Sequence, residues 1–313
     1  MASSSSPSAK PAATVSYFLR LIAPPALRSE SRIRATNTNL GSYGTHDANL
    51  AFTGYGLLFV SEVLKRVATA ATTTVASASS TTDSAVSTTS KTNPAIGLLA
   101  KLLFARNALT GSPIVSPATV ADVATRTRTF SSLISDIRIF NRLWGLVPLA
   151  VWAFDTAAAP PSDPVLRAVA YIQVAANLLY QPLENVAYLA MHGIIGGVSD
   201  DAQMKLWIYS CYLWAAHVVL DFIRIAREYV LAKRVAAASE KGGEKKVKWT
   251  QWWQSIVINL SYLPLTVHWS LEKGCLPDIA VGFLGATAAL ASIYPRWTTI
   301  AAIQDEPVKA KEE

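Results

Sequence analysis

Charged side chains are scarce in this chain, at 16% of its 313 residues against roughly 25% in an average soluble domain. Hydrophobic residues make up 51%, and the mean hydropathy is +0.28. A water-soluble protein must cover its surface with polar groups, and so few charges cover it poorly. The composition therefore argues against a disordered or fibrous chain and favours a membrane protein.

Cysteine and histidine are also rare, and they form no catalytic or metal-binding motif. The two cysteines, Cys211 and Cys275, make no disulfide framework. The four histidines lie far apart, and none stands beside a cysteine or acid at metal-ligand spacing. Gly193, Gly196 and Gly197 are not a phosphate loop, because no strand precedes them. We therefore expect neither enzymatic activity nor a cofactor.

The N-terminus combines a polar tail with a short apolar helix. Residues 1–13 are expected to be a disordered tail, and the following stretch is too short for a secretory signal. An organelle membrane reached from the cytosol is the better default. Apolar residues at i, i+3, i+4 and i+7 then predict a helix that either packs on the protein or lies on a membrane surface. The residues expected to insert are Val15, Phe18, Leu19 and Ile22.

A low-complexity segment divides the chain. Residues 68–93 are almost entirely Ala, Ser, Thr and Val, which bury too little apolar surface to offset the entropy of ordering. We predict a flexible loop there. It separates an N-terminal amphipathic helical module at 14–67 from a membrane-associated helical bundle at 94–300. Residues 301–313 are expected to be a cytosolic tail.

Four long stretches poor in charge predict membrane spans, since a span needs about 20 predominantly apolar residues. They are 168–191, 206–223, 252–271 and 279–295. The first carries a polar stripe at helical spacing: Gln173, Asn177, Gln181, Glu184 and Tyr188. Such a stripe fits either a soluble amphipathic helix or a helix whose polar face meets other helices inside a bundle. The predicted fold class is an all-α, multi-helix integral membrane protein with amphipathic interfacial helices.

The distribution of basic residues predicts the topology. The segment 224–248 carries eight Lys/Arg against three acids, whereas 193–204 holds two acids and no base. Because basic loops stay cytosolic, the chain is expected to cross four times with both termini in the cytosol. The uncharged stretch 143–154 is too short for a span and is interpreted as interfacial or re-entrant.

A second amphipathic helix is predicted before this stretch. Its apolar face carries Leu133, Ile137, Phe140 and Trp144, and the opposite side carries Arg138 and Arg142. This arrangement suits a helix half-sunk at a lipid surface, with the apolar side chains among acyl chains and the arginines near phosphates.

The last predicted span contains small residues four apart. Gly282 precedes Ala286, and Gly285 precedes Ala289, at this spacing. Small residues let helix backbones approach closely, which favours association in lipid. The same pattern also serves packing within one chain, so both oligomerisation and intramolecular packing remain open.

Two segments resemble the peroxin-11 family of peroxisomal membrane proteins, most closely its fungal C-type or gamma-type branch. Residues 135–149 (SDIRIFNRLWGLVPL) match the family's Arg-x-Phe-x-Arg-Leu-Trp-Gly-Leu stretch. Residues 282–297 (GFLGATAALASIYPRW) match its C-terminal glycine-bearing membrane segment. The similarity extends loosely from Tyr17 to Trp297.

This resemblance implies a non-enzymatic protein of the peroxisomal membrane that promotes peroxisome elongation, proliferation and fission. It also implies oligomers with itself and other family members, contact with the fission machinery and insertion through the peroxisomal membrane-protein import receptor. Membrane lipids are expected partners, and nucleic acid is not, because no binding motif accompanies the basic residues. The alternative function is a metabolite channel, supported by the polar stripe on 168–191.

Overall fold

The computed structural model describes residues 30–79, 93–104, 115–238 and 249–303, and all regular elements in these ranges are helical. Nine α-helices follow one another there: α1 (Glu30–Gly41), α2 (Tyr43–Ser79), α3 (Pro94–Leu103), α4 (Pro117–Asn141), α5 (Leu146–Ala158), α6 (Pro164–Met191), α7 (Asp200–Ala238), α8 (Trp249–Trp269) and α9 (Asp278–Ala301). A 3₁₀ turn, Arg142–Trp144, joins α4 to α5. The predicted all-α fold class is confirmed.

Short polar residues followed by proline begin three of these helices. Asn93, Ser116 and Asp163 cap α3, α4 and α6 with their side chains, and a proline follows each of them. A side-chain oxygen at this position accepts a backbone N–H that has no partner within the helix, and proline fits the first helical position. The starts of these helices are therefore encoded locally.

One of these caps also ties two helices together. Asp163 forms an ion pair with Arg227 of α7, with Oδ2 2.7 Å from Nη2. The hydrogen bond from Arg227, together with the backbone N–H of Leu166, lowers the pKa of Asp163 to about 2. The carboxylate is therefore ionised at neutral pH and links the start of α6 to α7.

The chain divides into two compact units, of which the larger runs from Leu50 to Ala289. Within it, α6 packs along α7, α7 packs along α8, and α5 packs against α6. The described part of the smaller unit consists of residues 30–49 and 290–303. In this unit the indole N–H of Trp297 donates to the Asn49 side chain at 2.8 Å.

Polar side chains share the interior of the larger unit with apolar ones, and further large apolar side chains lie outside. On α6, Gln173, Gln181 and Glu184 are at most 4% exposed, whereas Ile172 and Leu179 are 53% and 61% exposed. Helix α8 repeats this pattern, with Asn259, Ser261 and Thr266 buried and Trp253, Val257, Leu260 and Val267 exposed. This inside-out distribution is typical of helices surrounded by lipid, whose polar groups find partners on neighbouring helices.

Within the part of the chain that the structure describes, two helices are long and apolar enough to cross a membrane, judged by length and composition. They are Asp200–Val235 within α7 and Asp278–Ala301, which is α9. These helices contain the predicted spans 206–223 and 279–295. Candidate transmembrane helices are thus present where the sequence predicts two of its four crossings.

The other predicted crossings are less apolar. The spans 168–191 and 252–271 fall on α6 and α8, neither of which is among the candidates that meet the same criterion in the described residues. A further candidate arises from the pair Pro117–Trp144 and Leu146–Ala158, which is bent by 50° at the 3₁₀ turn and could form a broken span or a re-entrant loop. That geometry agrees with the interpretation of residues 143–154 as interfacial or re-entrant.

The loop predicted at 68–93 is wrong over its first part, because α2 continues as a helix to Ser79. Alanine is the strongest helix former, and its frequency there supports the extension. Val67, Ala68 and Ala71 are buried, so this part of α2 also packs against the protein. Residues 80–92 and the predicted tail 1–13 lie outside the described residues.

Candidate membrane-binding surface

The outer side of α4 and the 3₁₀ turn carries a continuous row of large apolar side chains. The predicted residues Leu133, Ile137, Phe140 and Trp144 are 39% to 70% exposed, and Phe130 extends the row by one turn. Residues three and four apart lie on one side of a helix, so these five form a single surface, here called the apolar stripe. Phe130 was not among the predicted residues, although the same spacing includes it.

Exposed apolar surface continues beyond the turn onto α5. Val147, Val151 and Phe154 are each more than half exposed. The two surfaces meet at the 50° bend, so together they form a bent apolar face. The other predicted membrane-inserting residues lie outside the described residues: Val15, Phe18, Leu19 and Ile22.

The inner side of α4 is smaller and more polar, and it attaches the helix to the protein. The hydroxyl of Ser131 donates to the carbonyl of Gly54 in α2 at 2.8 Å. Ile134 covers the same glycine, since a Cβ on Gly54 would lie 3.1 Å from its Cγ2. Arg128 donates to the carboxylate of Asp278 in α9 at 2.8 Å. Helix α4 is therefore held by its polar side and exposes its apolar side.

The two predicted lipid-facing arginines also contact the protein. The guanidinium carbon of Arg138 lies 5.3 Å from the ring centre of Tyr55. Nη2 of Arg142 lies 3.0 Å from Oε1 of Glu184 in α6. Both arginines are opposite the apolar stripe, as predicted, but that side of α4 is the one that packs on α2 and α6. Both arginines are thus tied to the protein, and contact with lipid phosphates stays a prediction.

A buried polar cluster on α6 lies behind the junction of α4 and α5. Besides the ion pair of Glu184 with Arg142, Gln181 donates to the backbone carbonyl of Arg142 at 2.8 Å. Asn185 donates to the carbonyl of Leu143 at 3.3 Å. Of these α6 residues, Gln181 and Glu184 belong to the predicted polar stripe. Asn185 was missed, although it follows Gln181 at the same four-residue spacing.

Two more residues of the polar stripe, Gln173 and Asn177, contact α7, whereas the hydroxyl of Tyr188 donates to Asp136 of α4 at 3.0 Å. Nδ2 of Asn177 lies 2.9 Å from Nδ1 of His217, and Gln173 donates to the carbonyl of His217 at 3.2 Å. From α8, Asn259 donates to the carboxylate of Asp221 at 2.7 Å. These side chains bond to neighbouring helices inside the bundle. Helix packing therefore accounts for the stripe that suggested a channel.

The small residues of α9 pack against α2 of the same chain. A Cβ on Gly282 would lie 2.6 Å from the backbone nitrogen of Phe59, and the ring of Tyr55 occupies the place of a Cβ on Gly285. Of the other two predicted contact residues, Ala286 is partly buried and Ala289 is wholly buried. The close approach is thus used between two helices of one chain. The glycine face predicted for oligomerisation is correspondingly covered.

Comparison with known proteins places these helices in a family. The family model described as Peroxisomal biogenesis factor 11 (PEX11) matches residues 116–297, more than half of the chain. The chain belongs to the PEX11 family. PEX11 proteins take part in peroxisome biogenesis and act at the peroxisomal membrane. The matched region begins at the cap of α4 and includes both the apolar stripe and the polar clusters behind it.

A further similarity covers about half of the chain. An uncharacterized protein of Schizosaccharomyces pombe is 28% identical over 160 residues, which cover 51% of this chain and 70% of that protein. No solved structure matches the chain. The family assignment therefore rests on the sequence of the α4–α9 region.

Proposed function

We propose that this PEX11 family protein remodels the peroxisomal membrane through the apolar stripe of α4 and thereby promotes elongation, proliferation and fission of peroxisomes. The observation that carries the proposal is the orientation of α4. Its polar side holds the helix on the protein, while five large apolar side chains point outward. A helix that buries such a face in one leaflet expands that leaflet, and repeated copies would bend the membrane.

The energetics favour the apolar side chains as the main contributors. Full burial of one large apolar side chain is worth roughly 1.5–3 kcal/mol, whereas a basic residue near an anionic surface contributes about 1 kcal/mol. Because Arg142 is paired with the carboxylate of Glu184, its charge is compensated within the protein. Binding through α4 should therefore depend on the stripe and only weakly on anionic lipid.

The stripe can be tested by placing a charge in it. Phe140→Asp should weaken insertion of α4 into the lipid surface about ten- to a hundredfold, because it removes one large apolar contact, and should abolish peroxisome elongation on overexpression. Ser132→Asp is the matched control, since Ser132 is exposed on α4 but lies off the stripe. Peroxisome length, protein level and targeting are measured together for both variants.

The outcomes of this test separate insertion from packing. A stable, correctly targeted but inactive Phe140→Asp protein supports the proposal. Loss of the protein from cells would instead mean that Phe140 packs against neighbouring helices. A stable and targeted variant that still elongates peroxisomes would exclude the stripe as the remodelling element.

We also propose four membrane crossings, by α6, α7, α8 and α9, with both termini in the cytosol. The inside-out distribution on α6 and α8 supports this topology, because their low overall hydropathy comes from polar residues that face other helices. The basic segment between α7 and α8 favours a cytosolic position for that connection.

Protease protection tests the topology on intact peroxisomes. A tag placed near Gly242 should be digested, whereas one placed in the 272–278 connection between α8 and α9 should be protected. The same tags in detergent-permeabilised organelles should both be cut, which controls for intrinsic sensitivity. Protection of the first tag in intact organelles would contradict the four-crossing topology.

Assembly with other proteins is part of the same proposal. Copies of this chain and other PEX11 family members would concentrate the inserted stripes, and contact with the fission machinery would complete division. Insertion would use the peroxisomal membrane-protein import receptor. Because Gly282 and Gly285 contact α2, the self-association surface is expected to lie elsewhere on the protein.

A further inference from the structure

The junction of α4 and α5 is broken by two residues of the sequence. Pro148 has no N–H, and its ring clashes with the carbonyl four residues earlier, that of Trp144. Gly145, whose dihedrals are helical (φ −62°, ψ −24°), contributes at the same point through its lack of a Cβ. The chain responds with the 3₁₀ turn, in which the N–H of Gly145 donates to the carbonyl of Arg142 at 2.8 Å, and the helix restarts at a bend of 50°.

In the broken helix the carbonyl of Arg142 accepts the 3₁₀ bond from Gly145, and its second lone pair can take a further donor. Helix α6 supplies donors at this point. Gln181 donates to the carbonyl of Arg142 at 2.8 Å, and Asn185 donates to that of Leu143 at 3.3 Å. Gln181 also donates to the Asn185 side chain at 2.8 Å, which fixes the two amides relative to each other.

Glu184 and Gly145 add two further contacts between α6 and the turn. Glu184 is 4% exposed and holds the Arg142 side chain at 3.0 Å, so the first residue of the turn is held by both its backbone and its side chain. The amide of Gln181 occupies the place that a Cβ on Gly145 would take. Residues at i, i+3 and i+4 share one side of a helix, so Gln181, Glu184 and Asn185 meet the break together.

We propose that Gln181, Glu184 and Asn185 form a clamp on this break that fixes the angle between α4 and α5, and that this angle lays the apolar stripe along the membrane surface. The second part rests on the function proposed for the stripe. These three are positioning residues, because they act through α4 and not on lipid. The clamp gives the polar face of α6 a role in membrane shaping other than lining a channel.

Distance measurements on the full chain in lipid nanodiscs test the clamp. Spin labels are placed at Ser132 on α4 and Ala157 on α5, both exposed, after the native Cys211 and Cys275 are replaced by serine. The parent should give one narrow distance distribution. The double variant Gln181→Leu with Asn185→Leu should lose it. Asn177→Leu, which removes a comparable amide of α6 that contacts α7, should retain it.

A second variant guards against misfolding of the double substitution. Gly145→Ala removes no buried polar group but displaces the Gln181 amide from the turn, so it should shift the same distance. The same protein variants are also reconstituted into vesicles of peroxisome-like phospholipids, and tubulation of these vesicles is measured. It should fall in the double variant and in Gly145→Ala, and it should remain in Asn177→Leu.

Each outcome decides one part of the proposal. An unchanged narrow distance in both the double variant and Gly145→Ala would overturn the clamp. A lost distance with full tubulation would overturn the role of the angle. Phe140→Asp separates the clamp from the proposed function, because this variant should keep the parent distance and lose tubulation. A Phe140→Asp protein that still tubulates vesicles would overturn the proposed function of the stripe. The distance result would then remain the test of the clamp.

Discussion

Replacing Glu184 by leucine should lower the free energy of unfolding by about 3–5 kcal/mol, because removing one partner of a buried ion pair leaves the other charge uncompensated. Only 4% of Glu184 is exposed, and its Oε1 accepts hydrogen bonds from Tyr180 at 2.7 Å and from Arg142 at 3.0 Å. Denaturant titration of the protein in detergent micelles measures the loss.

Two further variants make this result specific. The double replacement of Arg142 and Glu184 by leucine should recover most of the loss, since a well-packed apolar pair often substitutes for a buried ion pair. Glu228→Leu removes a carboxylate that pairs with Arg224 but is 45% exposed, and it should cost no more than about 1 kcal/mol. A double variant as unstable as Glu184→Leu alone would contradict the ion-pair explanation.

Adding a single methyl group at Gly282 should destabilise the folded chain by about 1–3 kcal/mol through overpacking. A Cβ there would lie 2.6 Å from the nitrogen and 2.9 Å from the Cα of Phe59. Both are backbone atoms, so α2 and α9 would have to separate. Gly285→Ala should also be destabilising, because its Cβ would overlap the ring of Tyr55, which packs against Trp269.

Gly56→Ala provides the matched control on α2. A Cβ at Gly56 meets no atom within 4 Å, and alanine is favoured over glycine in a helix by up to about 1 kcal/mol, so this variant should be neutral or stabilising. Denaturant titration and co-precipitation of differently tagged copies are measured for all three glycine variants. Loss of co-precipitation without loss of stability at Gly282 would contradict intramolecular packing and restore the oligomerisation face.

The spacing of apolar residues was sufficient to predict the stripe on α4, because one side of a helix is fixed by positions three and four apart. The contact partners of the residues on the opposite side were not predictable in the same way. Arg138 and Arg142 were assigned to lipid phosphates, yet their partners are Tyr55 and Glu184 on helices distant in sequence. Spacing within one helix carries no information about which other helix supplies a partner.

The same limit applies to the small residues of α9. The spacing of Gly282 and Gly285 indicates that another helix approaches closely, but it does not say whether that helix belongs to the same chain. The structure assigns α2 to this contact. The error at residues 68–79 has a different origin: a low-complexity composition was equated with a loop, although an alanine-rich segment next to buried Val67 can continue a helix.

The inside-out arrangement of α6 has a consequence for how the protein is made. An isolated α6 entering a bilayer would expose Gln173, Gln181 and Glu184 to hydrocarbon, and a carboxylate at the centre of a helix alone costs about 2.5–3.5 kcal/mol on insertion scales. Those groups are satisfied only after α6 has met α7 and the junction of α4 and α5. With the topology proposed above, nascent helices released one at a time would be poor substrates for insertion. Delivery of the finished polypeptide, with its polar faces already paired, removes that barrier.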